Sequence, residues 1–281
     1  MSRFSLLLFF LGFFCFDTFS QDEDSLALES SKPRQYALGI TYGFGSLETR
    51  DHVISNYLYK GTYKPIGLHF ESRTLKRKTF IDLEFLNSPN LFTKTNNGFE
   101  YKGQLGEFYP HSTDGYDYST VKSKMYSLHL SSMYLLRKTQ EKKIHAYLGF
   151  ELSFLSFNKK FLQFEYVNQL TDRVTSLGFV LNLERNFNSK HHIEYNLSIP
   201  LFNIAKRSLY NADADPTTVT NKKFTSLGGV LGFDGRLTYR YQVTRGVSFR
   251  ASYSFQYLQV SFPEKEQWAY GQGLIGLYFH F

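Results

Sequence analysis

Four aspartates are placed where they could activate water. His111-Ser112-Thr113-Asp114-Gly115-Tyr116-Asp117 holds two of them three residues apart, and Asp213-Ala214-Asp215-Pro216 holds the other two. Two carboxylates that share a site can act as a general base on a hydrolytic water. Asp, Gly, Ser and Pro are also the ordinary residues of turns, and that explanation is the commoner one. His129 stands between Ser127 and Ser131, a nucleophile and a base by type. His191-His192 could ligate a metal, but sits in a polar stretch that reads as a solvated turn. The single cysteine, Cys15, excludes a disulfide framework and a Cys-based zinc site. Gly228-Gly229-Val230-Leu231-Gly232 lies inside an alternating segment, not at the start of a helix, so it is no phosphate cradle. No cofactor and no metal are expected.

A second set of ionisable residues follows a different rule. Glu71, Asp82, Glu84, Glu151, Glu184, Glu194, Asp234, Arg236, Arg240 and Arg250 occur within otherwise apolar, alternating segments. Each falls on the face opposite the apolar one. In Lys143–Phe157 the apolar set is Ile144, Ala146, Leu148, Phe150, Leu152 and Phe154, and the reverse holds His145, Tyr147, Gly149, Glu151 and Ser153. Period two is the signature of a strand, whose side chains point alternately to its two faces. Charges enclosed by such a wall must be paired with one another. Six carboxylates from the earlier segments and three arginines from the later ones, with Asp234 beside them, predict ion pairs that cross an interior. His69, His129 and His145 share that face.

Ten such segments are expected, at about 35–46, 62–73, 78–86, 121–137, 143–157, 173–186, 191–203, 224–243, 246–261 and 267–281. None shows helical spacing. The connections after the second, fourth, sixth and eighth are short (74–77, 138–142, 187–190 and 244–245). Those after the first, third, fifth and seventh are long (47–61, 87–120, 158–172 and 204–223), and the ninth, 262–266, is short. Tight turns on one rim and long loops on the other describe a closed antiparallel barrel that crosses a membrane. Ten strands return both ends to one side; eight or twelve are the neighbouring even counts. The apolar face then meets lipid, since a spanning sheet must close on itself to satisfy its backbone. Aromatics make up 18% of the 281 residues, and Tyr36, Phe44, Tyr126, Tyr134, Tyr239, Tyr241, Tyr253 and Phe255 fall near segment ends, where interfacial girdles form.

The first twenty residues carry Arg3 and then an apolar run from Leu6 to Phe16, the pattern of a secretory signal peptide, with cleavage expected after Ser20. Residues 21–34 are polar and read as a periplasmic tail. The net charge of +7 is spread over both rims, as in Lys76, Arg77, Lys159, Lys160, Lys222 and Lys223. Anionic lipid headgroups account for it more simply than nucleic acid, for which no motif is present.

With its leader, alternating segments, unequal connections and closing Gly276-Leu277-Tyr278-Phe279-His280-Phe281, the chain resembles a Gram-negative outer-membrane β-barrel protein over about 36–281. That resemblance implies outer-membrane lipid and lipopolysaccharide as surroundings. It also implies recognition of the terminal Phe279 and Phe281 by the barrel-assembly machinery, and a protein partner at the long loops. Omptins, ten-stranded proteases of this class, hold acidic residues and a histidine at the loop rim. Here no Asp-x-His occurs in the seventh connection, so Asp114, Asp117, Asp213 and Asp215 are weak candidates for an omptin-like or lipid-acting hydrolase. The expectation is a non-enzymatic barrel with a narrow or plugged charged lumen, and a small-solute channel is the alternative.

Overall fold

The computed structural model describes residues 34–52, 55–74, 76–93, 120–139, 144–161, 170–209, 219–262 and 264–281. The expected leader (1–20) and all of the expected tail except Arg34 lie outside them. Eleven strands follow in order: β1 (Gln35–Asp51), β2 (Ser55–Arg73), β3 (Arg77–Thr93), β4 (Thr120–Thr139), β5 (Ile144–Phe161), β6 (Leu170–Asn186), β7 (His191–Leu209), β8 (Val219–Thr225), β9 (Val230–Gln242), β10 (Val247–Val260) and β11 (Glu266–His280). All pairings are antiparallel. β1 pairs with both β2 and β11, and the β6–β7 pairing closes the sheet into a barrel.

The barrel has ten staves, because β8 and β9 share one. β8 pairs with Asn203–Leu209 of β7 and β9 with His191–Ser198 of the same strand. The segment expected as one strand at 224–243 is therefore two pieces. A turn through 226–229 separates them, with the Gly229 and Val230 amides both donating to the Ser226 carbonyl. A Cβ on Gly229 would lie 1.8 Å from Thr225 Oγ1, so a larger residue there would force Thr225 to shift.

Hydrophobic parity organises each stave, and it inverts part-way along. On β1, Leu38, Ile40, Tyr42 and Phe44 point outward and are exposed. Three residues later the inward position is the apolar one, Leu47, which is buried, while the outward positions are Glu48 and Arg50. β4 runs from outward Tyr126 to inward Met125 and Val121, with Lys122 and Lys124 outside. On β5, Leu148, Phe150 and Phe154 face out, then Leu155 and Phe157 face in and Lys160 faces out. An exposed apolar belt around a closed barrel is what hydrocarbon requires. The inversion marks where each membrane-spanning segment ends. From Tyr36 to Phe44 is about 20 Å along the axis for a strand tilted near 40°. Above that level the wall continues as a water-facing barrel with an apolar inside.

This extension corrects the expected connections. The strands run several residues further than the alternating apolar segments, so the connection expected at 47–61 shrinks to 52–54. The connections expected at 158–172 and 204–223 shrink to 162–169 and 210–218, and 87–120 becomes 94–119. Above the membrane the outward positions are Lys, Arg, Glu, Asn and Thr, the composition of a loop, although the backbone is still a ladder.

Candidate functional site: the barrel interior

All ten charged residues expected inside face the lumen, and they come together in two layers within the spanning region. Nearest the short turns, Arg73 donates to both oxygens of Glu184 at 2.8 Å each. The buried Lys78 ammonium also reaches Glu184 at 2.8 Å, and Glu194 at 3.7 Å. It donates as well to Asn182 Oδ1 at 3.1 Å. Arg240 lies 3.6 Å from Glu184. Arg250 donates to Glu71 at 2.6 Å, and its guanidinium lies 3.7 Å over the Tyr278 ring.

In the next layer Arg236 bridges Asp82 at 3.0 Å and Glu84 at 2.6 Å. Gln272 donates to the other Glu84 oxygen at 2.7 Å. His69 Nδ1 lies 2.7 Å from Asp82, and its Nε2 lies 2.8 Å from Thr41 Oγ1. His129 Nδ1 lies 3.2 Å from Glu151, which also accepts from Ser198 at 2.8 Å. Asp234 has no ion pair among the described residues. It lines both a cavity of about 60 Å³ and a smaller one of about 30 Å³. His129, Glu151 and Ser198 line both cavities as well. His145 lies against Tyr147 near the short turns, with ring centres 6.5 Å apart.

Above the cavities the interior turns apolar. Leu47, Tyr59, Tyr63, Met125, Phe157, Trp268 and Tyr270 belong to one buried cluster. Phe157 and Trp268 meet edge to face at 5.6 Å, and Tyr63 and Tyr270 do so at 6.3 Å. The charged interior of the spanning region does not continue to this height. Once the outside is wet, the inside is where apolar side chains gain by burial.

A last layer closes the top of this apolar plug. Lys159 and Arg207 are completely enclosed, as is Glu266, and Asp51 and Asp172 are 2% exposed. The Lys159 ammonium contacts Asp172 at 2.6 Å and makes short contacts to Asp51 and Glu266. The Arg207 guanidinium reaches Asp51 at 2.9 Å, Glu266 at 3.1 Å and Asp172 at 3.5 Å. Arg207 also donates to the Phe262 carbonyl at 3.1 Å and to that of Glu264. Five strands thus meet at one knot. The three carboxylates stand within 4.8 Å of one another, a spacing that suits a divalent cation. Lys159 and Arg207 already supply the positive charge there.

Two cations against three carboxylates leave one negative charge in excess. Asp51 is seven residues beyond the outward Phe44, so the knot lies well above the spanning segment. Burial, reinforced by Asp172, pushes the Glu266 carboxyl well above its ordinary value of 4.5. Burial pulls Lys159 down, but Asp172, Asp51 and Glu266 more than offset it, so its pKa ends above the usual lysine value.

Arg73, Lys78 and all five residues of the knot were not among the expected interior charges. Arg73 and Lys78 share the inward parity of Glu71 and Asp82, and that signal was present. The hydrolase candidates fall elsewhere: Asp114, Asp117, Asp213 and Asp215 lie in 94–119 and 210–218, outside the described residues. His129, Ser127 and Ser131 are enclosed in the barrel and face no lipid. His191 and His192 do not converge, since His191 Nδ1 lies 2.6 Å from Tyr239 Oη whereas His192 turns to Asn186.

No family model and no curated protein matches the sequence. Solved structures do resemble the fold. The outer-membrane protease OmpT from Escherichia coli superposes with a TM-score of 0.52 at 7% identity, covering 88% of this chain and 96% of that one. The fold is that of an outer-membrane β-barrel. The translocator domain of the autotransporter NalP from Neisseria meningitidis aligns over 92% of both chains at 11% identity, with a TM-score of 0.41. Neisserial surface protein A aligns over 88% of this chain and 99% of that one at 12% identity, with a TM-score of 0.36.

Proposed function

We propose that the chain is a closed, non-conducting barrel of the outer membrane, whose work is done by what its long-connection rim presents to a partner or ligand. The observation that carries this reading is the stack inside the wall: two ion-pair layers, an apolar plug and the five-residue knot. A ten-stranded barrel is little wider than one that side chains alone can fill. A solute would have to part buried ion pairs that are costly to break. In this reading residues 1–20 are removed on export after Ser20. Phe279 and Phe281, which face outward on and beside the closing strand, address the chain to the barrel-assembly machinery. Residues in the connections 94–119 and 210–218 meet the partner, with Phe99, Tyr101, Phe108, Tyr109, Tyr116, Tyr118 and Tyr210 supplying apolar contact area.

Single-channel recording in a planar bilayer tests it. The purified protein is expected to insert and give no unitary steps. Stable unitary conductance of the unaltered protein would overturn the reading in favour of a small-solute channel.

A further inference from the structure

Asp234 is a carboxylate that the ion pairs of the lumen leave over. Among the described residues, the second layer has one permanent cation, Arg236, which is shared between Asp82 and Glu84. Glu151 and Asp234 bring the carboxylates of that layer to four. His69 turns to Asp82 and Thr41, and His129 to Glu151. Arg250, which also lines the larger cavity, is committed to Glu71. The layer therefore holds three negative charges in excess, or one if both imidazoles are protonated. Asp234 itself accepts no hydrogen bond and makes no ion pair among the described residues. A carboxylate inside the wall is costly unless something neutralises or solvates it.

Asp234 is also the centre of a row of oxygens. It faces Ser198 in the β7–β9 ladder and Gln256 in the β9–β10 ladder. Opposed side chains in such ladders have Cβ atoms about 5 Å apart. Ser198 donates to Glu151 at 2.8 Å, which brings a second carboxylate, from β5, to the same place. The Gln256 amide lines the smaller cavity with Glu151, Ser198 and Asp234, and its Oε1 is enclosed without a hydrogen bond. Space remains beside the row because Ser153, Ser176 and Gly178, which also line it, are small. Cavities of about 60 and 30 Å³ hold several waters or a partly hydrated ion.

We propose that the space shared by the two cavities is a calcium site inside the barrel. Glu151, Asp234, Ser198 and Gln256 supply its protein oxygens, water completes the shell, and His129 holds Glu151 in place. Carboxylate, hydroxyl and amide oxygens form a hard donor set, and the free volume suits a cation that takes about six to eight oxygens in flexible geometry. A divalent charge offsets the excess that Arg236 leaves. The site does not depend on whether the lumen conducts.

The test uses the protein folded in neutral detergent micelles, stripped of divalent ions with a chelator and then freed of the chelator. Calcium chloride is titrated by calorimetry and, in parallel, against the thermal midpoint. Magnesium chloride and choline chloride are compared at matched ionic strength. Calcium is expected to bind once per chain and to raise the midpoint, and magnesium, which dehydrates reluctantly, to bind at least about tenfold more weakly. Choline should do nothing. Asp234→Asn is expected to weaken calcium binding about tenfold or more. Without calcium that variant should melt no lower than wild type, because an unpaired charge is gone; a merely structural role would lower it. Gln256→Leu keeps every charge and should weaken calcium binding about threefold or more. Glu48→Gln, on the outer wall, should respond as wild type does. Unchanged calcium binding in Asp234→Asn would overturn the proposal. So would equal responses of the wild type to calcium and choline up to about 10 mM, which would leave the cavities to water alone.

Discussion

Lys159→Met should be among the most destabilising single changes in the barrel. The methionine fills nearly the same volume, so the effect is electrostatic. Lys159 touches three carboxylates, and it is completely buried above the membrane. Removing it leaves Asp51, Asp172 and Glu266 facing Arg207 alone, an excess of two negative charges where water cannot reach. Breaking one buried ion pair by deleting a partner typically costs about 3–5 kcal/mol. Three contacts to one ammonium place this change toward the upper end. At about 1.4 kcal/mol per factor of ten, the folded-to-unfolded ratio should fall by roughly three orders of magnitude. Urea titration in detergent micelles, followed by the fluorescence of Trp268, measures it. The chain has one tryptophan, and that residue packs on Phe157, two positions from Lys159. The loss should shrink as the pH is lowered and the stranded carboxylates protonate. It should also shrink when Asp172→Asn and Glu266→Gln are added, which remove the stranded charge. A cost below about 1 kcal/mol, or no recovery in the triple variant, would refute the claim that a buried charge balance holds the rim together.

Two further outcomes follow from the same geometry. Because the Glu266 carboxyl is raised in the fold, its proton contributes stability that is fully present below its ordinary pKa and is lost as pH rises through the raised value. Urea midpoints of Glu266→Gln, which keeps that position neutral, should therefore gain on wild type as the pH rises above the ordinary carboxyl value; a difference that narrows with pH would contradict the charge count. Trp268 is inside the wall and above the lipid, at 1% exposure, so its emission should be blue-shifted and insensitive both to brominated acyl chains and to aqueous iodide. Strong quenching by the brominated lipid would mean that the apolar and enclosed faces have been exchanged.

The sequence made the spanning part legible because a strand offers its side chains only two directions. Once Leu148, Phe150 and Phe154 face lipid, Glu151 between them has nowhere to go but the interior. The same logic applied to Glu184, Glu194 and Arg250. Partner choice was harder to read. That Arg236 bridges Asp82 and Glu84 of β3 follows from the circular order and stagger of the staves, which alternation does not encode. Arg73 and Lys78 share that inward parity too, at the ends of their segments on either side of the turn expected at 74–77.

The upper barrel was misread for a reason built into the alternation itself. A stave that leaves the membrane keeps its ladder but exchanges its faces: outward positions become polar and inward ones apolar. Around the crossing point both parities are mixed, and the pattern looks like a loop. Leu47-Glu48-Thr49-Arg50-Asp51 is such a stretch, and so is Phe157-Asn158-Lys159-Lys160-Phe161. Each reads as a strand once the phase is allowed to slip: Leu47, Phe157 and Lys159 share one face, and Glu48, Asn158 and Lys160 the other. What period two cannot supply is the height at which the slip occurs, since that is set by the thickness of the bilayer and not by the chain alone. Asp51 and Asp117 therefore look alike in sequence, each an acid beyond an alternating run. The backbone ladder carries Asp51 to the register of Glu266 and so into the five-residue knot, whereas Asp117 lies outside the described residues.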